Sequence, residues 1–175
     1  MEPVESIAGL GTLSPDSRIA EWWVSGPVLV PLFRGTSLPF VMIVPPVDGR
    51  FAPDVIEAVQ HFLALGDGDR LAASDRVYKN YVDFMDATDL EPLGIEQPSE
   101  IWRFVTPFEV MIDRRGRRDG DVYVRVACEC EWEPEHGLQL VFRGGRKLVR
   151  VSEQDGHLTH ADAYDVPDTD DEWLA

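Results

Sequence analysis

The sequence predicts an α+β fold, one antiparallel β-sheet with two central helices packed on one face. Three observations carry that expectation. Apolar and polar residues alternate over Asp121–Trp132, the longest run with the two-residue period of a strand. Apolar residues recur at helical spacing over residues 53–66 and again over 70–86. Short β-branched runs, punctuated by Gly and Pro, flank that helical centre on both sides. A chain of 175 residues, 44% of them apolar, suffices for one domain with a sizeable core. The expected division is a partly ordered N-terminal arm over 1–20, a single domain over 21–165 and an acidic C-terminal tail over 166–175.

Taken in order, residues 1–20 are rich in Gly, Ser and Pro and read as the arm. EWWVS (21–25) is a first short strand, and Gly26-Pro27 turns the chain. Val28–Phe33 is β-branched but contains Pro31, which cannot donate to a ladder, so this strand belongs at an edge. Leu38–Val44 follows and stops at Pro45-Pro46, giving an opening antiparallel meander. Pro53 suits a first helical turn, and Val55, Val59 and Phe62 then share a face until Gly66 ends the helix. A second helix over about Arg70–Asp86 shows Val77, Tyr81 and Phe84 as its apolar stripe. Residues 87–99 are polar and serve as a connection. Ile101–Val105 is a strand that Pro107 separates from Phe108–Ile112, and DRRGRRDGD is a hairpin tip. The long strand 121–132 follows, then Leu138–Phe142 and Lys147–Val151, which Gly144-Gly145 joins.

Charge narrows the function classes. Thirty-two acidic residues against 16 basic ones give a formal net charge of −16. Such a surface repels nucleic acid and anionic membranes, and it favours a basic protein partner. The first twenty residues lack the apolar run of a secretory signal. Two cysteines make no disulfide framework, so a cytoplasmic setting is expected. Cys128 and Cys130 do not suit a mutual bridge, because i and i+2 on a strand lie about 6.5–7 Å apart with parallel side chains.

The candidate site residues all attach to the last third of the chain. On the long strand Cys128 and Cys130 share the face of Val122, Val124 and Val126, where free cysteine behaves as a small core hydrophobe. The sharper alternative is a metal centre that recruits His136, His157 or His160, but the spacings lack the usual CxxC of zinc sites. The opposite face presents Tyr123, Arg125, Glu129 and Glu131, a row suited to a basic partner; its plainer reading is the solvated side of the sheet. Arg114, Arg115, Arg117 and Arg118 are offset by Asp113, Asp119 and Asp121, so the tip nets only +1. The run 168–172 is acidic, with Trp173 and Leu174 available to dock. No phosphate loop, nucleophile elbow or HExxH is present, and the sequence calls for no catalytic residue and no cofactor.

Several runs carry a resemblance: GLGTLSPDSRIAEWWVSGPVLVPLF, FAPDVIEAVQHFLAL and VYKNYVDF, then IWRFVTPFEVMIDRRGRRDGDVYVRVACECEWEPEHGLQLVFRGGRKLVRVSEQDGHLTHADAYD. Together they resemble a bacterial family of unknown function found near polymorphic-toxin and immunity genes. The shared features are a Trp-rich first strand, a proline-edged second strand and the EHGLQLVF strand. The resemblance implies a small cytoplasmic α+β protein, an accessory or immunity-type binder, and the acidic balance adds the expectation that the partner it neutralises is basic. The alternative is a metal-binding protein or metal-dependent enzyme built on Cys128 and Cys130 with the nearby histidines.

Overall fold

The computed structural model describes residues 4–175. Of the expected arm, residues 1–3 lie outside the described residues, and the rest feeds the sheet. Strands β1 (Val4–Ile7) and β2 (Gly11–Pro15) form a hairpin, and β2 pairs with β3 (Trp23–Ser25). Strand β4 (Val28–Val30) and β5 (Thr36–Leu38) make a separate two-stranded ribbon. The chain then returns as β6 (Phe40–Met42) beside β3. After the helices come β7 (Val105–Arg114), β8 (Val122–Cys130), β9 (Leu138–Arg143) and β10 (Lys147–Ser152). The eight-stranded sheet has the order β1-β2-β3-β6-β7-β8-β9-β10.

All neighbours in that sheet are antiparallel except β6 and β7, which pair in parallel through Phe40 with Val110, Val41 with Met111 and Met42 with Ile112. The helical crossover between them brings the chain back in the same direction, as parallel neighbours require. An unbroken opening meander is therefore replaced by a ribbon insertion and one parallel seam. Pro31 does end β4, but it opens a 3-10 turn (Pro31–Phe33) rather than lying in an edge strand.

The helices are α1 (Pro53–Ala64), α2 (Asp67–Ala72), α3 (Ser74–Asp86) and the short α4 (His160–Tyr164). Pro53 occupies the first turn of α1, where a missing N–H costs nothing. The single helix expected over 70–86 is two helices. They part where the buried Ser74 hydroxyl accepts a 2.9 Å bond from the Trp102 indole. Ile101–Val105 is likewise no strand. A 3-10 helix runs over Pro98–Phe104, and the Glu100 carboxylate accepts the N–H groups of Glu96 (2.7 Å) and Gln97 (3.2 Å) at its start. Pro107 does not interrupt β7, because a bulge between Pro107 and Glu109 absorbs the missing donor.

Helices α1 and α3 pack on one face of the sheet, as the sequence predicts. Val55, Ala58, Val59 and Phe62 of α1, with Val77 and Tyr81 of α3, join Val122, Val124, Val126, Cys128 and Cys130 in one core. Phe62 stands edge-on to Phe40 (6.1 Å) and Phe142 (5.5 Å), and Tyr81 to Trp132 (5.8 Å). The β9–β10 turn touches α1 directly. Gly145 has φ +72°, and a Cβ there would collide with the Ala58 carbonyl.

The opposite face is covered over Tyr123 and β9–β10 and stays open around Thr106 and Glu129. Tyr123, Val141, Val149 and Leu158 are buried there, with Leu174 against them. The expected tail 166–175 supplies part of this cover. Asp171, 2% exposed, accepts the N–H of Ala161 (3.0 Å) and of Trp173 (3.1 Å). Arg115 pins the same segment through Asp168 (2.7–2.8 Å) and also bonds Asp162 of α4 and Asp119 of its own turn at 2.8 Å.

Candidate functional site

Beside the edge strand β10, the sheet, α3 and the C-terminal segment leave a groove of about 890 Å³. Its walls carry Arg76, Lys79, Glu133, Glu153, His157 and Trp173. Arg76 lies against the Trp173 ring and donates to the Leu148 carbonyl at 2.5 Å, while its Nη2 has no hydrogen-bond partner. Burial pushes its guanidinium down to about 10, so it remains cationic at neutral pH.

At the groove's rim Glu133, His136 and Glu153 offer one ligand atom each, all within 4.8 Å of one another. The turn after β8 builds this group. Glu133 Oε1 accepts the N–H groups of Glu135 (3.1 Å) and His136 (3.2 Å), and Oε2 lies 3.2 Å from His136 Nδ1. Gly137 follows with φ +65°, where a Cβ would meet the Cys128 carbonyl at 2.7 Å. Gln154 clamps the second loop to the first. Its side-chain amide donates to that same carbonyl (2.8 Å), and its backbone N–H donates to the His136 carbonyl (3.2 Å). These two contacts hold Glu153 beside Glu133. Burial opposes ionisation of Glu133, but the His136 ring and the two N–H groups outweigh it and lower its pKa. The Glu133 carboxylate in turn raises the His136 pKa.

The sequence candidates divide around this group. Cys128 and Cys130 are buried in the core and join no ligand cluster among the described residues. Burial pushes the Cys128 thiol up, and the Cys130 thiol up to about 11. Cys130 Sγ lies 3.7 Å from the Glu133 carbonyl, as a protonated donor would. His157 and His160 line the groove without joining the three-ligand group; the His160 ring packs on Tyr164 at 4.4 Å. Only His136 of the expected metal set belongs to it.

The partner-facing row is split as well. Glu129 and Glu131 are exposed, as expected. Tyr123 is wholly buried under the C-terminal segment and donates to Asp119 at 2.6 Å. Arg125 is half-buried, and burial lowers its pKa. The row is broken because Leu158 and Leu174 bury their apolar surface on Tyr123 and its neighbours. Sequence reasoning missed Arg115, whose buried role is hidden by the aspartates that make its loop look like a solvated tip. Glu133 shares the strand phase of Glu129 and Glu131, a carboxylate row that could receive a divalent ion, but sequence reasoning missed Glu153, which lies 20 residues on and meets Glu133 only through the fold.

The fold and site define an α+β protein with a mostly antiparallel eight-stranded sheet, helices on one face and a carboxylate-rich groove at its edge. The chain belongs to the DUF6985 family, a domain of unknown function, which matches residues 9–158. No curated protein and no solved structure matches it. Among the described residues no helix is long and apolar enough to cross a membrane.

Proposed function

We propose that this chain is a protein-binding module whose partner is basic. The carrying observation is a pair of acidic segments that meet at Trp132. Residues 80–102 contain six acidic residues and no Lys or Arg, and residues 126–142 contain four and again none. Trp132 joins the two, since its ring packs on Tyr81 at 5.8 Å and its indole donates to Asn80 at 3.0 Å. Meanwhile the arginines at 18, 34, 70, 114, 115, 118, 143 and 150 are engaged in ion pairs. These two segments therefore carry negative charge without a basic residue of their own, with Glu129 and Glu131 exposed among it, and complementary potential would speed encounter with a cationic surface. The specific form of this reading is a cytoplasmic, immunity-type protein of bacterial origin that occludes a basic toxin. The resemblance described under the sequence supports the immunity part, and the two free thiols support the cytoplasmic part alone.

The test compares the natural chain with a variant carrying Asp86→Asn, Asp89→Asn, Glu129→Gln and Glu131→Gln. Partners recovered from source cells are identified, and association rates are measured at two salt concentrations. The reading expects a basic partner, slower association for the variant and slower association at higher salt. A partner bound equally well by both proteins would remove it.

A second reading rests on Glu133, His136 and Glu153 as a divalent-cation site. Ligands about 2.0–2.1 Å from a tetrahedral ion lie about 3.3 Å apart, and Glu133 Oε2 to His136 Nδ1 is 3.2 Å. Zinc titration by calorimetry, with Glu153→Gln and His136→Ala as controls, tests it. Binding should weaken in both variants and fall as pH drops, because the proton on His136 competes with the metal.

A further inference from the structure

A second groove, of about 530 Å³, shares no lining residue with the groove beside β10. The turn after Pro31–Phe33, helix α2 and the 3-10 helix Pro98–Phe104 enclose it. Its composition runs against that of the whole chain. Arg34, Arg70 and Arg103 line it around Trp102 and Phe33, in a protein whose net charge is −16.

The arginines are not neutralised one for one. Arg34 (2.9 Å) and Arg70 (2.5 Å) share a single Asp67 oxygen. Arg103 is exposed and makes no ion pair among the described residues. The one carboxylate lining the groove belongs to Glu100, whose oxygen is committed to the N–H groups of residues 96 and 97.

Arg70 is the most telling member. It is only 6% exposed, its Nε has no hydrogen-bond partner, and its guanidinium sits 5.7 Å from the centre of the Trp102 ring. A buried guanidinium with unused donors is costly unless an acceptor completes it. The ring is held in place independently: its indole donates to Ser74 at 2.9 Å, and Phe33 meets it edge-on at 6.3 Å. Leu71 adds an exposed apolar wall. Fixed aromatic surface beside a surplus of guanidinium groups suits a flat ring that carries a negative charge.

We propose that this groove binds a small planar aromatic anion, with the ring against the Trp102–Leu71 wall and its phosphate or carboxylate on the arginines. Neither Glu129 nor Glu131 lines this groove, and the proposal does not depend on the protein-binding reading.

Calorimetry of the full chain with 1-naphthyl phosphate, 1-naphthoate, 1-naphthol and inorganic phosphate tests the proposal. At least one of the two naphthyl anions should bind, and the stronger identifies the preferred anionic group. The neutral naphthol and inorganic phosphate should each bind at least about tenfold more weakly, because each lacks one of the two contacts. Arg103→Ala, at an exposed position, should keep the melting temperature and weaken the better anion by about tenfold. Arg70→Gln should weaken it further. Absence of binding by both naphthyl anions would overturn the proposal, as would unchanged affinity in Arg103→Ala and Arg70→Gln. Inorganic phosphate binding as tightly as naphthyl phosphate would overturn the aromatic part.

Discussion

Gly144 and Gly145 stand side by side in the β9–β10 turn with φ of +59° and +72°, yet their surroundings differ. A Cβ on Gly144 would meet open space, whereas one on Gly145 would strike the backbone of α1 at Ala58 and Phe62. Gly144→Ala should therefore cost about 1 kcal/mol, the ordinary penalty of a left-handed position. Gly145→Ala should cost about 3 kcal/mol or more, because α1 must shift. Urea melts of the pair check the contrast. Arg115 supplies a second case. Its removal in Arg115→Ala takes one partner from each of three aspartates, leaving Arg118 on Asp162 and Asp168 and the Tyr123 hydroxyl on Asp119, and should cost about 2–3 kcal/mol in chemical denaturation. The same contact sets a pH response. Arg115, with Arg118, holds Asp168 down to about 2; despite burial, Arg115 keeps Asp162 below the usual carboxylate range, and the Tyr123 hydroxyl, the Asp121 N–H and Arg115 together do the same for Asp119. Depressed carboxyl groups stabilise the fold at neutral pH and lose that contribution as they protonate. Amide exchange over 160–174 should accelerate as pH falls from about 4 toward about 2, after correction for intrinsic exchange.

Among the elements, α1 rests on Phe62, which meets Phe40 from one side of the parallel seam and Phe142 from β9. Phe62→Ala should cost about 3–5 kcal/mol and Phe62→Leu much less, measured by thermal or urea unfolding. This helix was legible in the sequence because Val55, Val59 and Phe62 repeat at one period and Pro53 marks the start. Strand β8 was legible for the same reason: every second side chain enters the core from Val122 to Cys130. Other elements were not, and each has a physical cause. Ile101 and Phe104 are three residues apart, which suits a 3-10 turn as well as an apolar run suits a strand. Strands β1 and β2 are short and rich in small residues, so their pairing depends on β3 more than on any local preference. The break before Ser74 depends on Trp102, 28 residues further on.

Over the whole molecule, the charge surplus should work against compactness. Self-repulsion in a chain of net charge −16 is screened by salt, with a Debye length of about 30 Å at 0.01 M and about 10 Å at 0.1 M. The melting temperature should rise between those concentrations at pH 7; calorimetry gives the answer, and a fall would mean that the ion pairs outweigh the repulsion. Composition announced this charge but not its placement. The two acidic segments need Trp132 to bring them together, and the groove needs a C-terminal segment whose docking rests on Arg115, Asp171 and Leu174. Tyr123 shows why a one-strand view of the site fails: alternation says which face a side chain takes, not whether another segment covers that face.

The parallel pairing of β6 with β7 has a consequence for the order of assembly. Strands β7 to β10 close through short connections and can zip up locally, whereas β6 meets β7 only after 62 intervening residues have found their places. Just three residue pairs bridge the two halves of the sheet there. The C-terminal four strands are thus a natural nucleus, onto which β1, β2, β3 and β6 dock late. The same junction is where the native sheet should part first, so backbone amides of β2 and β3 should exchange with solvent sooner than those of β8 and β9.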